Sequence, residues 1–105
     1  MTKEQFDNFL STVFNRTIKM FNCKRDEYAC NDDVFRSFRL GTGFSIHDEP
    51  AQVAYEYLCK HLESIRTMVK NCEENVESTE YIEEKIGDAI NYLIIIEGLL
   101  KEKNK

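Results

Sequence analysis

The last third of the chain carries a helical pattern that is apolar on two sides, so several elements must pack around it. At 100° per residue, Ile82, Ile86, Ala89, Ile90, Leu93 and Leu100 fall on one side of residues 79–100 and predict an ordinary core stripe. The opposite side gathers Tyr81, Glu84, Asp88, Asn91, Tyr92, Ile95 and Leu99. A solvated face does not normally collect two tyrosines, an isoleucine and a leucine around an Asp and an Asn. That second face is therefore expected to be covered by a partner chain, a ligand or both.

One proline and four glycines in 105 residues are too few turn-formers for many short strands, and they favour helices. This length supports one domain, expected to span residues 1–105, with a core of its own. The net charge of −5 disfavours direct, sequence-independent nucleic-acid binding, which needs many Lys and Arg to neutralise phosphates. It also suits an acidic body that competes with nucleic acid for a basic partner. The longest purely apolar run, residues 93–96, is far too short to span a bilayer, and residues 1–5 lead into an amphipathic pattern rather than a signal segment. A cytoplasmic protein without membrane contact is expected. Cys23, Cys30, Cys59 and Cys72 are then reduced thiols whose spacing matches no zinc signature, with Cys72 on an apolar face.

Thr2 and Gln5 make a capping box for a first helix in which Phe6, Phe9, Leu10, Val13, Phe14, Thr17, Met20 and Phe21 recur at helical spacing. This helix, ending near residue 21, is expected to supply much of the core. Asn31, Asp32 and Asp33 signal a short helix bearing Val34, Phe35, Phe38 and Leu40, stopped near Gly41 and Gly43. Asp48 is the expected N-cap of the next helix, with Pro50 in its first turn. Ala54, Tyr57, Leu58, His61, Leu62, Ile65, Met68, Val69 and Cys72 form its stripe. Ser78 or Thr79 caps the last helix. The expected fold is all-α, a compact bundle of three long helices and one short one, oligomeric through the second face.

Several polar residues could address a ligand. His61 sits in an apolar stripe, where it is either a hydrogen-bonded core group or an imidazole that touches phosphate or base. Its neighbour Lys60 points about 100° away, toward solvent. Arg36 and Arg39 share a side of the short helix and, with Lys24 and Arg25, concentrate the positive charge of an acidic chain. They suit phosphate, or equally ion pairs with Asp32, Asp33 or the acidic last helix. Glu84, Asp88 and Asn91 stack along one helix edge and offer oxygen ligands to a hydrated Mg²⁺. Gly87 and Gly98 lie near the same face, where small residues admit another helix or a ligand. No glycine-rich phosphate loop or Ser-His-Asp set is present.

Three stretches together resemble small, mostly phage-encoded, MazG-like all-α proteins, related to nucleotide-modification-associated domains and more distantly to all-α nucleotide pyrophosphohydrolases. They are residues 24–28 with 32–38, then Lys60, His61, Ser64 and Ile65, then residues 84–93 with Gly87, Asp88, Asn91 and Tyr92. The resemblance implies an oligomeric helical bundle and a site for a nucleotide or another small phosphate compound. Glu84 and Asp88 would hold Mg²⁺, with Arg36, Arg39, Lys60, His61, Asn91 and Tyr92 as ligand contacts. The wider group's enzymes hold Mg²⁺ with Glu-x-x-Glu and Glu-x-x-Asp motifs for attack of water on a nucleoside triphosphate. Here Lys85 stands where Glu would precede Asp88, and Glu56 and Glu63 make no Glu-x-x-Glu. The resemblance thus supports a nucleotide-binding pyrophosphohydrolase on one side. On the other stands a non-catalytic anti-defence protein that sequesters a nucleotide signal or binds a host defence nuclease directly.

Overall fold

A computed structural model describes the backbone of residues 1–28 and 33–104, with the side chains of residues 24–28 excepted. Lys24, Arg25, Cys30, Asn31 and Asp32, which carry part of the sequence reading, lie outside the described side chains. The described residues are all-helical and contain no strand: α1 spans Lys3–Tyr28, α2 Arg36–Gly41, α3 Pro50–Lys70 and α4 Thr79–Lys103. No helix is long and apolar enough to cross a membrane among the described residues.

The capping chemistry sets the starts of α1 and α4. The Thr2 hydroxyl accepts from the Gln5 amide at 3.1 Å while the Gln5 side chain accepts from the Thr2 amide at 2.8 Å, a reciprocal capping box. Ser78 accepts from the Tyr81 amide at 3.2 Å and is the cap of α4. The expected Asp48 cap is corrected: Glu49 is the N-cap of α3, without a side-chain cap bond, because Pro50 occupies the first helical position directly after it. The first helix also runs to Tyr28, well past residue 21.

Helices α3 and α4 form an antiparallel hairpin, joined through residues 71–78. His61 faces Asp88 and Tyr57 faces Tyr92, so each step forward on α3 is matched by a step back on α4. By contrast, α1 runs parallel to α4. Arg16 pairs with Glu83 at 3.3 Å and Met20 lies against Gly87, the same offset of 67 residues each time. At that register Thr12 lies level with Thr79, where α4 begins, so residues 3–11 extend about 13 Å beyond it with no α4 alongside.

This overhang overturns the expected role of α1. Phe6, Phe9, Leu10, Phe14 and Ile18 are all exposed, and Thr17 is the one buried residue of the helix among those described. The apolar core is instead small, built from Val53, Ala54 and Leu58 of α3 with Ala89 and Leu99 of α4. On α4 the expected core stripe is buried only at Ala89. Leu93 and Leu100 of the expected core stripe are exposed and Ile82, Ile86 and Ile90 are only half-buried, whereas Asp88, Asn91 and Leu99 of the second face are buried. The chain's own α3, Met20 and Phe35 supply that cover. On α3, Leu62, Val69 and the adjoining Cys72 are likewise exposed, because the hairpin buries mainly the first half of that helix. The radius of gyration is 15.9 Å, more open than the ~13 Å of a compact domain of this length.

Candidate functional site

The hairpin register brings polar groups of the α4 second face against aromatic residues of α3 and α2. Tyr92 stacks on His61 with ring centroids 5.1 Å apart and 26° between planes. Phe38 of α2 meets Tyr92 edge-on at 6.2 Å and 88°, and Tyr57 closes the group at 6.1 Å from Tyr92 and 6.4 Å from Phe38. The sequence placed Tyr57 and Phe38 in apolar stripes; a tyrosine within a stripe of leucines and isoleucines was the one sign of a more polar surrounding. Lys60 projects its Nζ over the Tyr57 ring at 5.9 Å, so it stands at the edge of the same aromatic group.

Asp88 faces His61, with one carboxylate oxygen 3.7 Å from Nδ1, farther than a direct hydrogen bond. One turn away, Asn91 is 5% exposed, and neither its side-chain oxygen nor its nitrogen has a hydrogen-bond partner. Two orphaned amide atoms in a buried side chain are rare, since burial without a partner costs about 1–3 kcal/mol per group. Asn91 lies on α4 beside the sector that carries both glycines, about 20° around the helix from Gly98 and 40° from Gly87. A Cβ on Gly87 would meet Met20 Sδ at 3.1 Å, and one on Gly98 would meet Phe35 Cζ at 2.6 Å. The glycines thus admit neighbouring parts of this chain to the wall beside Asn91.

The other expected site residues are placed apart. Glu84, a turn before Asp88, is exposed, and the described residues contain no group of three or more metal-capable side chains. Arg39 donates to Asp33 from Nε at 2.6 Å and to Glu102 at 2.8 Å, about 21 Å along α4 from Asp88. Its hydrogen bond holds the Asp33 carboxyl below the ordinary carboxylate range, and the two carboxylates drive the guanidinium's own pKa further up. For Arg39, ion pairing is the alternative the structure bears out. Arg36 is exposed on the same short helix. A small cavity lies at that end of the molecule, lined by Arg39, Glu49, Pro50, Leu99, Glu102 and Lys103, and its cations are already matched by Asp33, Glu102 and Glu49.

A second polar cluster escaped the sequence reading. The Ser45 hydroxyl donates to Glu56 Oε1 at 2.5 Å, His47 Nε2 lies 3.2 Å from that same oxygen, and the His47 amide donates to Ser45 Oγ at 3.0 Å. A nucleophilic relay needs the imidazole to accept the serine proton. Here the carboxylate takes both groups, so the cluster fastens the loop after α2 onto α3. Comparison of the chain with family models, with curated proteins and with solved structures finds no match.

Proposed function

We propose that this protein binds a nucleotide or a related small phosphate compound on the α4 second face, with Asn91 reading the base. The buried and unpartnered Asn91 amide carries the proposal. A side-chain amide offers a donor and an acceptor side by side, which matches the paired groups on the edge of a nucleobase, adenine above all. Such an amide, costly in the free protein, is satisfied once that edge is bound. Tyr92, Tyr57 and His61 supply faces on which a planar ring stacks, and Lys60 supplies positive charge at their margin. The MazG-like resemblance supports the same ligand class through His61, Asp88, Asn91 and Tyr92.

In this reading the ligand is held rather than hydrolysed. Glu84 and Asp88 remain the proposed Mg²⁺ pair, Asp88 facing the aromatic group and Glu84 reaching from solvent, and Lys85 stands three residues before Asp88 where the resembled enzymes have Glu. In this reading Arg36 remains a proposed ligand contact and Arg39 does not, because Asp33 and Glu102 occupy its guanidinium. A native mass spectrum of freshly purified protein tests the reading, with retained nucleotide of unaltered mass as the expected result. Release of pyrophosphate from added nucleoside triphosphates and Mg²⁺, abolished by Asp88→Asn, would instead establish an enzyme.

A further inference from the structure

Asn91 is 95% buried, so a ligand reaches its amide only when part of the cover moves. Among the described residues three parts of the chain lie around it. Helix α3 carries Val53, Ala54 and Leu58 of the core and is fixed on α4 through the His61–Asp88 and Tyr57–Tyr92 register. Helix α1 reaches the neighbouring sector with Met20 against Gly87. The third part is the segment that leads into α2. Its Phe35 ring lies on Gly98, two turns along α4 and about 20° around it from Asn91, and Phe38 meets Tyr92, the residue after Asn91. Phe35 and Phe38 therefore lie along the stretch of α4 that begins at Asn91.

This segment is attached unequally. Its far end is built onto α3: a Cβ on Gly41 would meet Val53 Cγ1 at 3.1 Å, and beyond it Ser45 and His47 both hold Glu56. On α4 it rests through Phe35 at Gly98 and the Arg39–Glu102 ion pair, whose two side chains are each 41% exposed. Asp33 accepts from both Arg39 and the Phe35 amide, ties within the segment that let it move as one piece. Helix α2 has six residues and none is buried, and local opening costs least where few apolar contacts are lost. We propose that residues 33–41 are a gate over the Asn91 face, hinged on α3 at Gly41 and latched to α4 by Phe35 and Arg39. Opening swings Phe38 off Tyr92 and uncovers the Asn91 amide and the Tyr92 ring together. Ligand entry by this route rests on the nucleotide reading; the motion itself does not.

Thiol labelling reads the opening without any nucleotide. In the full chain with Cys23, Cys30, Cys59 and Cys72 changed to serine, Asn91→Cys sets a single thiol at the covered position, and cysteine suits burial. Its reaction with neutral iodoacetamide should be faster than global unfolding in the same buffer, because opening of the gate suffices. Glu102→Gln removes the latch carboxylate and leaves the Asp33–Arg39 tie, so it should speed labelling about two- to fivefold, the worth of an exposed ion pair. Lys101→Gln breaks the neighbouring exposed Lys101–Glu97 pair and should leave the rate unchanged. On the unsubstituted chain, hydrogen exchange should show residues 36–41 opening without residues 53–58, and Glu102→Gln should hasten it by the same factor. Labelling no faster than global unfolding, a rate untouched by Glu102→Gln, equal acceleration by Lys101→Gln, or exchange of 36–41 only together with 53–58 would each overturn the gate. Failure of every nucleotide to bind would strike the ligand reading and leave the labelling result standing.

Discussion

At the scale of single residues, Asn91 and Asp33 show opposite treatments of a polar group. Asp33 is half-exposed and accepts from Arg39, whose hydrogen bond holds its pKa below the ordinary value of an aspartate, 3.8. A depressed folded-state pKa stabilises the fold above the unfolded value and ceases to do so as pH falls through the folded one. The Asp33–Arg39 link is therefore intact at neutral pH and lost in strong acid. Carboxyl NMR should give an Asp33 midpoint below 3.8 that rises toward the ordinary value in Arg39→Ala; equal midpoints would contradict the assignment. The buried Asn91 side chain has no hydrogen-bond partner, so Asn91→Leu, which keeps the branched side-chain skeleton, should raise the stability of the ligand-free protein by about 1–3 kcal/mol in denaturant unfolding. A loss of stability would mean that the amide has a structural role.

At the scale of elements, glycines and caps decide how the helices meet. Alanine favours a helix interior by about 1 kcal/mol over glycine, yet the two α4 glycines should respond differently. Gly87→Ala meets the flexible end of Met20 at 3.1 Å and should be near neutral or stabilising, whereas Gly98→Ala sets a Cβ 2.6 Å from the Phe35 ring and should lower the melting temperature. Adding Phe35→Ala should remove the penalty specific to Gly98→Ala, a coupling that a double-mutant cycle reads directly. Ser78→Ala should cost about 1 kcal/mol by removing the α4 cap.

The elements themselves were legible in the sequence because their signals are local. The Thr2–Gln5 box, the Ser78 cap and Pro50 mark helix starts within a few residues, and periodicity marks the helices between them. The packing of α1 and α4 was not legible, for a physical reason. Periodicity reports that a face avoids water, and a stripe such as Ile82, Ile86, Ile90 and Leu93 has the same spacing whether its cover comes from the same chain or from another. The parallel register of α1 rests on Arg16–Glu83 and Met20–Gly87, contacts between segments far apart in sequence. Within the candidate site, the clustering of Asp88, Asn91 and Tyr92 followed from helical spacing, and their apposition to His61 and Tyr57 required the hairpin. The pairing of Arg39 with Glu102 depends on the tertiary fold in the same way.

At the scale of the molecule, an apolar core of five among the described residues and an open radius of gyration describe a chain whose hairpin is complete and whose third layer is not. The α3–α4 hairpin positions the proposed ligand face. The central claim concerns the ligand face. Isothermal titration of wild type and Asn91→Leu against a panel of purine and pyrimidine nucleotides with Mg²⁺ tests it most directly. Saturable binding of at least one nucleotide by the wild-type chain, lost in a folded Asn91→Leu variant, is the predicted result. Equal affinity in the two proteins, or no heat with any nucleotide, would contradict the account.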